Sequence, residues 1–296
     1  MLFRSVAGDW RLAPGTLLEA EVETSHRSQP SVPGFSLLGP TVPAPVDPRL
    51  NLNNQPWSLP VVLDGTSASL RFSQALADGW RWTAHAATQR LTSQDRVAFP
   101  FGCSAENNFD RYCSDGSLDL YDFRSENEHR RTDALELALH GQFDAAGMAH
   151  ALSTGVLSSR VRNRFGQYAY NFVGTGNVDG TAVTNPDPTL VFANTNRDER
   201  STELFARDAI KLDERLAVWL GLRHTRLSRD SVLTDGSEPT SYTQSFTTPW
   251  VAASYAISSD ALVYASWGRG VESEVVPNRP RFANAGQALA DRKSVV

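Results

Sequence analysis

Lysine is almost absent from this chain. Lys211 and Lys293 are the two lysines among 28 basic residues, against 33 acidic ones, giving a formal charge of −5 over 296 residues. The preference for arginine follows codon composition, so the arginine count by itself says little about phosphate recognition. The mild acidity excludes the basic face or arm of a nucleic-acid binder. Cysteine is equally scarce, with Cys103 and Cys113 alone, which excludes a disulfide-stapled miniprotein, and 41 % hydrophobic residues exclude a disordered chain. A helix-forming apolar run is also missing. The uncharged stretch from Ser28 to Val46 holds Pro30, Pro33, Pro40, Pro43 and Pro45, and the one from Pro239 to Ser259 is interrupted by Pro249. Neither can cross a bilayer as a helix. No apolar segment follows Met1 to Ser5, so no secretion signal is visible.

Sustained helical periodicity is absent too, and a two-residue alternation takes its place. Leu18, Ala20 and Val22 alternate with Glu19, Glu21 and Glu23, and Leu70 and Phe72 with Ser69, Arg71 and Ser73. Trp80, Trp82, Ala84 and Ala86 alternate with Arg81, Thr83, His85 and Ala87. The same period carries Leu135 to Phe143, Leu216 to Leu222, and Val251 to Tyr255. These are strands with one apolar and one polar or small face. Short connections (Leu12 to Gly15, Ala77 to Gly79, Asp144 to Gly147, Asp213-Glu214 and Ser258 to Asp260) alternate with long ones, roughly 27–66, 92–118, 161–200, 230–247 and 272 onward. Up-and-down strands would gather every tight turn at one edge and every long loop at the other, as in an outer-membrane barrel. A soluble β-sandwich alternates in the same way but seldom collects its long loops at one end.

Little in the sequence points to catalysis or a metal. The histidines at 26, 85, 129, 140, 150 and 224 form no His-x-His or His-x-x-x-His pair. Gly174 to Gly180 lacks the following helix and Lys-Ser/Thr of a phosphate loop and reads as a glycine-rich surface loop. No Gly-x-Ser-x-Gly element occurs. No cofactor or catalytic set is expected. Cys103 and Cys113 have nine residues between them in a polar segment. They fit a bridged exported loop, worth on the order of 3 kcal/mol by loop closure, with two free thiols of a cytoplasmic protein as the alternative.

From about Leu135 the segments resemble TonB-dependent outer-membrane receptors of the siderophore type. The resemblance is carried by Glu203 to Leu212, Leu216 to Thr225, Thr247 to Tyr255, Val263 to Glu272 and Asn278 to Gly286, with their order and spacing. It implies an all-β, antiparallel up-and-down transmembrane barrel in the outer membrane of a Gram-negative bacterium. It further implies energy-coupled uptake of ferric siderophores, with partners in the siderophore, the TonB complex and outer-membrane lipid, and no enzyme activity. Receptors of this type have 22 strands around an N-terminal plug. About ten or eleven strands are legible here, and residues 1–296 read as a fragment of the barrel domain without the plug. An open arc with two bare edges is not expected to fold alone. The alternative is a complete small barrel acting as a porin or membrane hydrolase.

Siderophores in this family are caught by aromatic and polar residues at the outer mouth. Tyr168, Tyr170 and Phe172 share one face of an extended segment by the period of two. Trp57, Phe99, Phe101 and Tyr112 lie in other long connections. Tyr168, Tyr170, Phe172 and Trp57 are the ligand-contact candidates. An aromatic girdle or loop packing is the alternative use of the same rings.

Overall fold

The structure is a computed structural model that describes residues 2–33, 49–109, 111–271, 276 and 283. Among the described residues there are eleven strands: β1 (Leu2–Ala13), β2 (Thr16–Gln29), β3 (Leu59–Ala77), β4 (Trp80–Pro100), β5 (Ser117–Ala145), β6 (Met148–Arg164), β7 (Ala169–Asn177), β8 (Thr195–Lys211), β9 (Leu216–Leu233), β10 (Thr240–Ala256) and β11 (Leu262–Gly268). One short 3₁₀ turn, Ser104–Glu106, accompanies them. Ten strands form an antiparallel meander in chain order, and β7 stands off that path, paired to β5. Among the described residues no helix is long and apolar enough to cross a membrane.

Tight turns close one end of the sheet. Asp78-Gly79 joins β3 to β4 with Gly79 at φ +77°, where a side chain would lie 2.3 Å from the Gln142 carbonyl oxygen. Ala146 and Gly147 both take positive φ between β5 and β6, the geometry of a two-residue type I′ hairpin.

The register then sorts the side chains into two faces. Leu18, Phe72, Ala84, Leu137, Val156 and Leu204 stand directly opposite one another across β2, β3, β4, β5, β6 and β8. One residue along, the row reads Glu19, Arg71, His85, Glu136, Leu157 and Glu203. The apolar face is exposed, with Leu135, Leu137, Leu204, Leu220 and Leu222 all open to the surroundings. A continuous exposed leucine face of this kind needs an apolar solvent. The opposite face pairs its charges within the wall, as in Arg223–Glu203 at 3.1 Å. His140 lies between Thr83 and Ser153 at 3.2 and 3.0 Å, an ordinary wall residue.

The strands run further than the alternation predicts. The long connections shrink to those between Gln29 and Leu59, Pro100 and Ser117, Arg164 and Thr195 (which contains β7), and Leu233 and Thr240. Leu2 to Ser5, which fit no strand pattern, pair with Glu23 to His26. The glycine-rich stretch from Gly174 is largely strand, and Gly176 lets Leu120 pack where a side chain would meet it at 2.7 Å. The reason is solvent. β5 has 29 residues, roughly 95 Å of strand, whereas about ten residues cross a bilayer. Beyond the bilayer both faces meet water, so hydropathy stops alternating while the backbone ladder continues. Pro40, Pro43 and Pro45, and nearly all of the stretch from Asn278 to Gly286, lie outside the described residues.

Candidate ligand-binding site

Above the leucine band, β4 and β5 continue past the ends of β3 and β6, and one irregularity decides which way their aromatics point. Asn127 takes φ +57°, and the β4–β5 register shifts between Ser93 and Asp95, so that Ser93 faces Glu128 while Asp95 faces Ser125. A bulge of this kind places one extra residue in β5 and inverts its parity. Without it, Tyr121 and Phe123 would join Leu135 on the lipid face. With it, they continue the polar, inward face.

β7 completes the surface. β6 ends at Arg164, and β7 takes up the free side of β5 from Ala169. Tyr170 then sits opposite Phe123 and Phe172 opposite Tyr121, while Phe99 of β4 faces Tyr121 from the other side. Tyr121 and Tyr170 stack at 4.7 Å with 6° between planes. Phe99 meets Tyr170 edge-on at 5.8 Å, and Phe172 meets Tyr121 at 5.8 Å. Phe101 extends the group from Phe99 at 6.2 Å, and Tyr168 connects Phe123 at 6.2 Å with Phe192 at 5.3 Å. The result is a continuous aromatic platform with an open rim: Phe172 is 54 % exposed, and Phe101 and Phe192 are also exposed.

The stacked Tyr121 and Tyr170 phenols are held neutral. Burial and then the neighbouring Tyr121 push Tyr170 up to about 12, and burial followed by Asp119 raises Tyr121. They therefore present ring faces and O–H groups, not phenolate ligands. Beneath the rings lies a polar cluster on the same face. Burial works to raise the Glu128 carboxyl, but hydrogen bonds donated by Ser125, Ser93 and Arg130 outweigh it and keep the group low. Asp95 is pushed up to about 6 by burial and by the charge on Glu128.

Tyr168, Tyr170 and Phe172 thus share one surface, while Trp57 stands apart. Its indole donates to the Thr184 carbonyl at 3.1 Å, beside Gln55, whose amide donates to Ala182 O at 2.8 Å. These side chains clip the segment after β7 against the β2–β3 connection. Tyr112 packs with Leu52, Leu118 and Leu120 in a small core behind the platform. Cys103 and Cys113 are buried and bridged, with Cα atoms 5.1 Å apart. Their loop carries Ser104, whose N–H and hydroxyl donate to the buried Asp119 carboxylate at 2.9 and 3.1 Å. Glu106 lies close to the two sulfurs, but a bridged pair offers no thiolate to a metal. Tyr121, Phe123 and Phe192 were not singled out from the sequence, because their placement depends on the bulge and on the return of β7.

Comparison with known proteins agrees with this architecture. The family model described as TonB dependent receptor-like, beta-barrel matches residues 9–289. No curated protein sequence matches the chain. Among solved structures, the chain resembles the ferric preacinetobactin receptor BauA of Acinetobacter baumannii with a TM-score of 0.69 at 15 % identity, over 98 % of this chain and 42 % of that one. It resembles FpvA of P. aeruginosa, solved with heterologous pyoverdines, at 0.71 and 17 %, over 98 % and 38 %. For the alcaligin outer-membrane receptor FauA of Bordetella pertussis the values are 0.58 and 13 %, over 99 % and 48 %. The chain therefore spans about two fifths to one half of the length of these receptors. The ten-stranded meander matches part of the larger chains of these receptors, and the chain belongs to the TonB-dependent receptor-like β-barrel family, whose barrels lie in the outer membrane of Gram-negative bacteria.

Proposed function

We infer that this chain is part of the barrel of an energy-coupled receptor for ferric siderophores, and that the aromatic platform is where the chelate is first held. The observation that carries this reading is the inward-facing set of rings around the stacked Tyr121–Tyr170 pair, at the long-loop end of the wall. Ferric chelates present flat, partly apolar edges. Rigid aromatic side chains give large contact area with few rotors to freeze. Neutral phenols suit capture of an intact chelate, because a phenolate would compete for the metal.

In this reading the wall does no chemistry, and the chain is a transporter component, not an enzyme. The bare edges of β1 and β11 pair with further strands of the barrel, since unpaired backbone groups are costly in lipid. A plug within the barrel and its contact with TonB, supplied by sequence beyond residues 1–296, release the chelate inward. Uptake of a labelled ferric siderophore by iron-starved cells is the test. Cells lacking the receptor that carries this sequence should lose uptake, as should cells lacking TonB. Uptake that persists without TonB would point to a passive pore instead.

A further inference from the structure

A second surface lies on the opposite, leucine-bearing face, just above the apolar band. The register places Arg90, Arg131 and Arg162 directly opposite one another on β4, β5 and β6. Two residues nearer the band, Asp133, Arg160 and Arg200 form the next row, across β5, β6 and β8. Arg226 of β9 stands in the row below, level with Leu135. By strand rise the first row lies about 13 Å above Leu135 and the second about 7 Å.

Like charges directly opposite in a sheet destabilise it, and the carboxylates of these rows, Asp198 opposite Arg162, Asp230 opposite Asp198, and Asp133, are fewer than the guanidiniums. Asp133 takes Arg131 at 2.9 Å, and Asp198 is shared by Arg160 and Arg164. Arg90, Arg162, Arg200 and Arg226 make no ion pair among the described residues. The Nε atoms of Arg160 and Arg162 are buried without an acceptor. A chain with net charge −5 thus gathers more guanidiniums than carboxylates in the two rows above Leu135 on its lipid side.

We propose that this patch binds the phosphorylated head group of a lipid in the leaflet on the long-loop side. Guanidinium forks match phosphate oxygens in pairs. The exposed leucines directly below receive the acyl chains, and this continuity favours a lipid over a free anion. The bound phosphates would neutralise the arginine row and join the wall to its membrane.

The receptor carrying this sequence, purified from outer membranes in detergent, can be probed with diphosphoryl lipid A by native mass spectrometry. The variant Arg131→Gln with Arg162→Gln and Arg200→Gln is expected to lower lipid retention about a hundredfold. Arg223→Gln, on the inward face, should leave it unchanged. Asp198→Asn removes a carboxylate and keeps every guanidinium, so retention should rise severalfold; this reading survives a failure of the triple variant to assemble. Retention that is equal in the triple variant, unaltered by Asp198→Asn, or abolished by millimolar inorganic phosphate overturns the proposal.

Discussion

Substituting Gly221 by alanine tests the register and the packing of the inward face together. Gly221 of β9 stands directly opposite Trp250 of β10, and the indole lies across the glycine. A methyl group there would be 1.9 Å from Trp250 Nε1 and 2.4 Å from Cε2. Ordinary contact needs about 3.5 Å, so the ring must retreat by roughly 1.5 Å. Overpacking a fixed site costs about 1–3 kcal/mol. Trp250 is 41 % exposed and can tilt outward, which places Gly221→Ala in the lower half, about 1–2 kcal/mol. Trp250→Ala removes the obstacle and costs its own buried area. In the double variant the clash is gone, so the summed cost should fall short of the two singles by about 1 kcal/mol. Urea unfolding of the vesicle-embedded receptor measures all three. Gly166→Ala is the control: its nearest neighbour would be the Glu126 carbonyl oxygen at 4.0 Å, and its effect should stay within about 0.5 kcal/mol. Strict additivity of the Gly221 and Trp250 changes would refute the ring-over-glycine packing.

Two further outcomes follow from the extracellular part of the wall. Replacing Cys103 by serine opens a loop with a sequence separation of 10, which should cost about 3 kcal/mol by loop closure; the reduced wild-type protein should unfold like the variant, and a variant as stable as the oxidised protein would contradict this. Asp95 takes its proton near pH 6 in the fold and near 4 when unfolded, so the folded state binds the extra proton between these values and loses stability as pH rises through them. Asp95→Asn should therefore stabilise the receptor by about 1 kcal/mol at pH 7.5, after allowance for solvent screening, and have little effect below pH 4; equal effects at both pH values in urea titrations would count against it.

Within the membrane band the fold is legible because lipid and lumen impose opposite demands on alternate residues. Leu18, Phe72 and Leu137 announce their face in the sequence, and register sets them in one row. The turns at Asp78-Gly79 and Ala146-Gly147 are legible for a different reason, since their positive φ values favour glycine at or beside them. Outside the band water wets both faces, and strands such as the upper halves of β4 and β5 lose their signature. The platform was legible in part: Tyr168, Tyr170 and Phe172 share a face in sequence as in the fold. Tyr121 and Phe123 were not, because a single residue, Asn127, inverts their parity by an interaction with β4 more than thirty positions away. Trp57 looked like a mouth aromatic, yet its hydrogen bond to Thr184 makes it a strut for a neighbouring loop, a long-range partnership that spacing cannot reveal.

The central claim, that the inward aromatic platform holds the chelate, is tested most directly by affinity. Binding of a panel of ferric siderophores to the purified receptor would be compared between wild type, Tyr170→Ala with Phe172→Ala, and Tyr255→Ala on the lipid face. Loss of two ring contacts should weaken binding of the cognate chelate about ten- to a hundredfold, with Tyr255→Ala unchanged. Wild-type affinity in the Tyr170 and Phe172 variant would contradict the account.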